Sequence, residues 1–200
     1  MSEGGTVAGQ DGRLRCPWSL GLPEYIAYHD DEWGWPLHGE AALFERISLE
    51  AFQSGLAWIT VLRKREAFRR AFAGFEPAVV ARYDEEDVAR LIGDPGIIRN
   101  RAKILATIGN AQAVLDLDGG LTDLLWSFAP DGSRPTPETV ADVPAVTPES
   151  TAMAKELKRR GFRFVGPTTA YALMQATGMV DDHLATCFRR TAPRSRSNRP

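Results

Sequence analysis

Two pairs of metal-ligating side chains stand near opposite ends of the 200-residue sequence. His183 and Cys187 are four residues apart, and on a helix this spacing places an imidazole and a thiolate on one face. Cys16 and His29 could supply two more ligands. Such a Cys2His2 set favours a closed, structural zinc site that ties the two ends of the chain together. The spacing differs from that of a compact zinc finger, so taken alone it also allows ordinary residues without metal.

An aromatic segment, YIAYHDDEWGWP at residues 25–36, follows Cys16 and contains His29. It combines four flat rings with an imidazole and three carboxylates, and Ile26 is its only large aliphatic residue. A segment made for packing alone would carry more Leu, Val and Ile. The composition therefore indicates a role other than packing, although any one of these rings taken alone is consistent with a place in the core.

A helical hairpin is predicted around LIGDPGIIRNRAKIL, within residues 84–115. Gly96 permits a positive φ in the tight turn, and a turn before a helix start presents backbone N–H groups that can hold a phosphate. Arg99, Arg101 and Lys103 follow immediately. The pattern resembles the helix-hairpin-helix element of DNA repair proteins, but a helical hairpin without a nucleic-acid role fits it equally well.

The composition excludes several other classes of protein. The chain is 44% hydrophobic and 25% charged with a net charge of −2, which is ordinary for a globular protein. Two distant cysteines make no disulfide framework, and neither a signal sequence nor a membrane span is visible. Four basic clusters could converge on one phosphate-binding surface, although each alone is typical of a solvated helix face. We expect a monomeric cytoplasmic protein with no membrane partner.

The elements that must position these residues are helices. Apolar periodicity with start and stop signals predicts helices over residues 39–55, from Trp58, after Asp84, over 97–115, over 121–128, after Thr147 and after Gly166. No run alternates convincingly as a strand. The prediction is an all-α bundle with one domain over residues 15–190, a disordered N-terminal extension over 1–14 and a disordered basic tail over 191–200.

Four long motifs give the chain a family resemblance. They are ERISLEAFQSGLAWITVLRKRE, YIAYHDDEWG, DPGIIRNRAKI and RRGFRFVGPTTAYALMQATGMVDDH. Together, from about Cys16 to Cys187, they resemble 3-methyladenine DNA glycosylase I, the Tag family of bacteria. The resemblance implies the helix-hairpin-helix DNA glycosylase fold. It also implies one structural Zn²⁺ held by Cys16, His29, His183 and Cys187.

The resemblance also implies a role for the aromatic segment. The family excises N3-methylated adenine from double-stranded DNA after taking the base out of the stack, and a cationic purine is attracted to aromatic faces. Glu50 and Tyr28 would be the catalytic residues, with Glu50 hydrogen-bonding the extruded base. Base-binding rings would be Trp58, Tyr25, Trp18 and Trp33. DNA contacts would come from the inserted Gly55–Leu56 turn and from Gly96, Arg99, Arg101 and Lys103.

The implied reaction is monofunctional hydrolysis of the N-glycosidic bond, which releases free 3-methyladenine and leaves an abasic site. Many helix-hairpin-helix glycosylases carry an Asp or a nucleophilic Lys after the hairpin. Here Lys103 lies so close to the turn that phosphate contact is expected, and Asp116 and Asp118 lie at the far end of a long helix. A cationic base is a good leaving group, so less acid or base assistance is needed.

Two alternatives remain open from the residues themselves. One is a non-catalytic DNA-binding module stabilised by zinc. The other is a zinc hydrolase that uses the HDDE run, residues 29–32, as metal ligand and base; it would need three protein ligands and a water site. The sequence leaves open the selectivity among methylated purines, the roles of the N-terminal extension and the tail, and whether Glu50 acts in chemistry or only in recognition.

Overall fold

The computed structural model describes residues 4–131 and 134–191 and is mostly helical. A two-stranded antiparallel hairpin precedes the helices. The elements in chain order are β1 (Val7–Ala8), β2 (Leu14–Arg15), α1 (Pro23–Asp31), α2 (Glu40–Gln53), α3 (Trp58–Ala71), α4 (Pro77–Val80), α5 (Glu85–Gly93), α6 (Arg101–Leu115), α7 (Gly120–Trp126), α8 (Pro148–Arg159), α9 (Pro167–Ala176) and α10 (Phe188–Thr191). Short 3₁₀ turns lie at Pro17–Ser19, Ala73–Phe75 and Val140–Asp142.

The central helix is α2, which packs against α3, α6, α7 and α9. Its apolar positions Leu43, Phe44, Ile47 and Phe52 are fully buried, as their helical spacing predicts. Most of the buried side chains form one cluster around α2. A second, smaller cluster lies where the two ends of the chain meet, and it contains Cys16, Tyr28, Trp33, Leu184 and Cys187.

Local signals begin the helices where the sequence predicts. The Asp84 carboxylate accepts hydrogen bonds from the Glu86 and Asp87 amides at the start of α5. Thr147 and Ser150 form a reciprocal cap at the start of α8, with Pro148 in the first turn. In the described parts of the chain, no helix has both the length and the apolar character that crossing a bilayer requires.

The two ends of the chain also meet through their backbones at Gly178. A Cβ atom on Gly178 would lie 2.5 Å from the Trp35 carbonyl carbon and 2.6 Å from the Pro36 nitrogen. Its φ of +71° is one that glycine adopts without strain. Glycine is therefore required at this crossing for two independent reasons.

The N-terminal segment differs from the expected disordered extension over residues 1–14. Residues 4–15 form a hairpin in which Val7 pairs with Arg15 and Ala8 with Leu14. The hairpin is held by the buried Arg15, whose guanidinium donates to both Asp11 and Asp30. The segment contains few apolar residues, so its sequence resembles that of a disordered segment. Its ordered structure depends on ion pairs instead. The expected disorder of the basic tail, residues 191–200, falls outside the described residues from residue 192 onward.

Candidate active site

A cavity of about 290 Å³ lies between α1, the end of α2, the start of α3 and the C-terminal segment. This volume is near the lower end of the range for small-molecule sites. The lining residues are Cys16, Trp18, Tyr28, Trp33, Glu50, Gln53, Trp58, Val140, Val143, Ala172, Gln175, Asp182 and Leu184. Aromatic and aliphatic groups thus form most of the wall, with a small number of polar groups among them.

Glu50 is the carboxyl that the last turns of α2 bring to this wall. It is only 5% exposed and belongs to a stretch of α2, residues 46–52, that is buried throughout. Burial raises the pKa of Glu50 to about 7, and the charge of Arg46, one helical turn earlier, partly opposes that rise. A carboxyl that titrates near neutrality inside a cavity is typical of a functional site.

Tyr28 lies beside Glu50 and is held by Arg46. The Arg46 guanidinium donates to the Tyr28 hydroxyl oxygen at 3.0 Å and to the Glu32 carboxylate at 3.3 Å. Burial raises the pKa of Tyr28 above its usual range, so the phenol keeps its proton. Because arginine only donates, the Tyr28 O–H remains able to donate to a group in the cavity.

Three tryptophans build the flat walls. Trp58, the first residue of α3, packs on Tyr28 with ring centroids 5.5 Å apart. Its indole Nε1 is buried and has no hydrogen-bond acceptor among the described residues. Trp18 meets Trp33 edge-on with centroids 5.0 Å apart. The structure therefore brings Trp18, Trp33 and Trp58 together around the carboxyl of Glu50.

Tyr25, expected as a base-binding ring, does not line this cavity. Its hydroxyl oxygen accepts a hydrogen bond from the Ile59 amide at 3.0 Å, and its ring meets Trp18 edge-on. The Ile59 amide belongs to the first turn of α3, where backbone N–H groups have no partner within the helix. Tyr25 thus holds the start of α3, which carries Trp58.

A second polar group of the cavity, Asp182, was not predicted from the sequence. Asp182 is 5% exposed, and its carboxylate accepts hydrogen bonds from Gln175 at 2.9 Å and Arg134 at 3.1 Å, and from the Tyr171 hydroxyl. The MVDDH run contains no signal for this role, because acidic residues beside a histidine are common on protein surfaces. Val140, Val143 and Ala172 were missed because apolar wall residues carry no chemical signature.

A group of four buried side chains adjoins the cavity. The ligating atoms of Cys16, His29, His183 and Cys187 all lie within 4.8 Å of one another. The Cys187 Sγ is 3.5 Å from His29 Nε2 and 3.6 Å from His183 Nδ1. These separations match the edge of about 3.6 Å expected for a tetrahedral zinc site with these ligands.

The surroundings orient both imidazoles toward the group. His29 Nδ1 lies 2.8 Å from the Asp30 carboxylate, which leaves Nε2 facing the two sulfurs. His183 Nε2 lies 3.2 Å from the Trp33 carbonyl, which leaves Nδ1 facing them. Such partners fix the tautomer of metal-binding histidines. A hydrogen bond from Cys16 holds the pKa of the Cys187 thiol below its usual range.

His183 and Cys187 lie on a turn and not on the helix that their spacing suggested. The turn forms because the Cys187 amide donates to the Leu184 carbonyl at 2.8 Å and the His183 amide donates to the Asp181 carboxylate. The HDDE run does not form an open metal site of three ligands. His29 joins a group with four protein ligands, Asp30 pairs with Arg15, and Glu32 pairs with Arg65.

The turn between α2 and α3 is exposed beside the cavity. Gly55 has a φ of +82°, and Leu56 is 40% exposed. The Leu56 amide donates to the Gln53 carbonyl at 2.7 Å, and the Gln53 side chain donates back to the Leu56 carbonyl. A hydrogen-bonded turn therefore presents an apolar side chain between Glu50 and Trp58.

The hairpin joins α5 to α6 through a turn over residues 94–100. Gly96 is required there for a steric reason and not for its backbone conformation. Its φ is not positive, and a Cβ atom on it would lie 2.9 Å from the Ala67 Cβ. Residues 97–100 are not helical, because Asn100 caps α6 by accepting from the Lys103 amide. Arg99 and Arg101 are both exposed at this turn, and Arg101 forms an ion pair with Glu85.

Lys103 differs from the expected phosphate contact. It is 8% exposed, and its ammonium donates to the Phe52 carbonyl at 2.9 Å and the Ser54 carbonyl at 2.7 Å. Asn100 starts α6 in a register that turns Lys103 inward. The lysine therefore satisfies the last carbonyls of α2, which have no partner within that helix.

The chain is similar to known proteins along most of its length. A family model described as methyladenine glycosylase matches residues 18–190. The chain is 49% identical to DNA-3-methyladenine glycosylase 1 of Escherichia coli (strain K12) over 177 residues, which is 86% of this chain and 95% of that protein.

Solved structures give the same result. A crystal structure of 3-methyladenine DNA glycosylase I is 48% identical, with a TM-score of 0.83 over 87% of this chain and 98% of the other. A second, of a variant in complex with 3-methyladenine, is 35% identical with a TM-score of 0.83 over 88% of this chain and 96% of the other.

Proposed function

The chain belongs to the methyladenine glycosylase family, and on that premise we propose that it is a base-excision repair enzyme. It hydrolyses the N-glycosidic bond of 3-methyladenine in alkylated double-stranded DNA. The products are the free base and an abasic site. The observation that carries the proposal is the buried carboxyl of Glu50 in the wall of a cavity built from aromatic rings.

Base recognition follows from the composition of the wall. A base inside a duplex is out of reach of an enzyme, so the methylated nucleotide is everted into the cavity. Trp58, Trp18 and Trp33 offer faces that replace the lost stacking and attract a cationic purine more than a neutral one. Glu50 accepts hydrogen bonds from the polar edge of the base. The buried indole N–H of Trp58 can donate a hydrogen bond to the base.

The chemical step needs little from the protein beyond electrostatics. As the C1′–N9 bond breaks, its electron pair neutralises the cationic base, and the sugar becomes an oxocarbenium ion. Water adds to C1′ and loses a proton. Ionised Glu50 stabilises the positive charge, and the O–H of Tyr28 orients the base or the water.

The enzyme has no lyase activity in this proposal. Lys103 is the lysine nearest the hairpin turn in α6, and its ammonium is bound to two backbone carbonyls. It is therefore not placed to attack C1′. A protein–DNA adduct trapped by borohydride would contradict a monofunctional mechanism.

DNA is held by two turns in this proposal. Leu56 and Gly55 fill the gap left by the everted nucleotide, as apolar wedges do in other DNA complexes. The hairpin turn around Gly96 holds backbone phosphates through its amides, with Arg99 and Arg101 adding charge. We call the turn that contains Gly55 and Leu56 the wedge turn. Lys103 stabilises it through hydrogen bonds to the carbonyls that directly precede it, and Lys103 does not bind phosphate.

One structural Zn²⁺ completes the proposal. Two thiols and two imidazoles, all buried and with both imidazoles oriented by acceptors, fit a closed tetrahedral zinc site. A site closed by four protein ligands leaves no position for a catalytic water. The metal therefore ties Cys16 and His29 to the C-terminal segment and takes no part in the reaction.

The decisive test is release of methylated bases from alkylated duplex DNA, followed by chromatography. We expect the protein to release 3-methyladenine, and Glu50→Gln to release it at least about a hundredfold more slowly, as for loss of one preorganised electrostatic group. Glu76→Gln is the matched control, because Glu76 is exposed and its side chain caps nothing. Retained DNA binding without any base release would favour the non-catalytic, zinc-stabilised module.

A further inference from the structure

The N-terminal hairpin, residues 4–15, lies before the part of the chain that the family model matches, which begins at residue 18. It nevertheless makes defined contacts with the body of the protein. Its base is fixed because Arg15 is 3% exposed and pairs with Asp11 and Asp30, each at 2.7 Å. Asp30 in turn lies against His29 of the four-residue group.

The first strand of the hairpin is preceded by residues that reach a loop at the cavity, residues 134–143, which we call the wall loop. The Gly4 carbonyl accepts a hydrogen bond from the Val140 amide at 2.9 Å. Beside it, the hydroxyls of Thr6 and Thr186 are 2.5 Å apart. The hairpin thus bridges the wall loop and the C-terminal segment.

The wall loop forms one side of the cavity with Val140 and Val143. Three contacts anchor its first half to the C-terminal segment: Arg134 to Asp182, Arg190 to the Thr136 hydroxyl at 2.7 Å, and the Ala185 amide to the Pro137 carbonyl at 2.8 Å. At the tip, the Asp142 carboxylate accepts from the Thr139 amide and hydroxyl, which are bonds within the loop itself. The bond from Val140 to Gly4 therefore ties the tip of the loop to another segment.

We propose that the N-terminal hairpin is a brace that holds the wall loop in the position that completes the base-binding cavity. This inference rests on the proposed function, because it concerns affinity for the same methylated base. A loop held in its binding position needs less ordering when the base enters, so the brace raises affinity without touching the base. The hairpin is a positioning element and not a part of the reacting machinery.

Two neighbouring glycines provide a matched test. At Gly4, φ is +99° and a Cβ would lie 3.4 Å from both the Thr139 Cβ and the Val140 nitrogen. At Gly5 a Cβ meets nothing within 4 Å. Gly4→Ala combined with Thr6→Val should therefore release the wall loop, whereas Gly5→Ala should leave it in place.

The measurement is the Kd for free 3-methyladenine, by calorimetry on the full-length chain. We expect the Gly4→Ala/Thr6→Val protein to bind about threefold to tenfold more weakly, the loss of roughly one net hydrogen bond. Exchange of the Val140 amide with deuterium should be faster, while the Tm and metal content stay unchanged. Gly5→Ala should match the parent protein in each measurement.

The outcomes separate the two proposals. If the parent protein does not bind 3-methyladenine, the proposed function fails. If the parent binds and the double variant binds equally well with faster Val140 exchange, the brace has no role in base binding. Unchanged exchange and unchanged affinity together would show that the contacts with Gly4 and Thr6 do not hold the loop, which also overturns the inference.

Discussion

At the scale of single residues, Glu50 represents a compromise between stability and function. Burial raises its pKa to about 7, well above the 4.5 of an exposed glutamate. Its ionised form is the one that attracts a cationic base, yet that form is also the one that burial disfavours. Ionisation of Glu50 in the cavity therefore lowers the stability of the folded state.

This shift predicts how stability depends on pH. Because the folded state binds the Glu50 proton more tightly than the unfolded state, the free energy of unfolding falls as pH rises from about 4.5 to about 7. Glu50→Gln removes that dependence. Near pH 8 the variant should be more stable than the parent protein by about 1–3 kcal/mol, and near pH 4, below the pKa of an exposed glutamate, the two should be about equal. Denaturant unfolding at both pH values measures the difference.

Effects of groups elsewhere are common to both proteins and cancel in this comparison. A stability difference that is the same at both pH values would show that Glu50 does not carry the raised pKa. The Glu76→Gln control should follow the parent protein throughout.

At the scale of elements, the buried Lys103 connects two parts of the proposed DNA surface. It stands in the first turn of α6, directly after the hairpin, and binds the last carbonyls of α2, directly before the wedge turn. Lys103 is therefore one of the contacts that fix the position of Leu56 relative to the hairpin. Burial lowers the pKa of Lys103, whereas hydrogen bonds to the two carbonyls favour its charged form.

Lys103→Met keeps the length of this side chain but removes both hydrogen bonds. We expect the free energy of unfolding to fall by about 1–3 kcal/mol, because two carbonyls lose a charged donor. Excision from duplex DNA should fall by a larger factor than excision from alkylated single strands, since only a duplex needs the wedge. Lys155→Met, at an exposed position of α8, controls for the lost charge. Equal losses on both substrates would exclude a role in positioning the wedge.

Local chemistry explains which parts of this architecture were predictable. The capping residues Asp84 and Thr147 act within one turn, so the starts of their helices follow from the sequence. Lys103 was expected at a phosphate, but it is buried, because the direction of its side chain depends on the helix packed against it. Gly96 lies in the predicted turn, where the approach of Ala67 and not a positive φ requires it. The hydrogen bond between Tyr25 and Ile59 depends on how α1 packs against α3. The wall residues Val140 and Val143 come from a loop whose position depends on contacts with distant segments, so no spacing rule could identify them.

At the scale of the whole molecule, the cavity depends on the meeting of the two ends of the chain. Cys16, Trp18 and Trp33 come from one end, and Asp182 and Leu184 come from the other. The contacts that hold the ends together include the four-residue Cys/His group, the backbone crossing at Gly178 and the bond between Thr6 and Thr186. The large core around α2 is separate from this junction.

Removal of metal should therefore affect the cavity more than the helical body. We expect one zinc per chain by elemental analysis. Chelation, or Cys187→Ser, should lower the Tm and weaken the affinity for 3-methyladenine at least about tenfold, while most helical circular dichroism remains at low temperature. A metal-free protein with the parent Tm and affinity would show that the protein contacts, including the Gly178 crossing, hold the junction without metal.

The junction also has a consequence for synthesis on the ribosome. The first and last members of the Cys/His group are Cys16 and Cys187, so the group cannot assemble until the ribosome has translated Cys187. A nascent or prematurely terminated polypeptide that ends before Cys187 can form helices around α2 but lacks the fourth member of the group. Only a polypeptide that extends through Cys187 can therefore acquire the complete pocket, and shorter chains should be recognisable to cellular proteases by their open N-terminal segment.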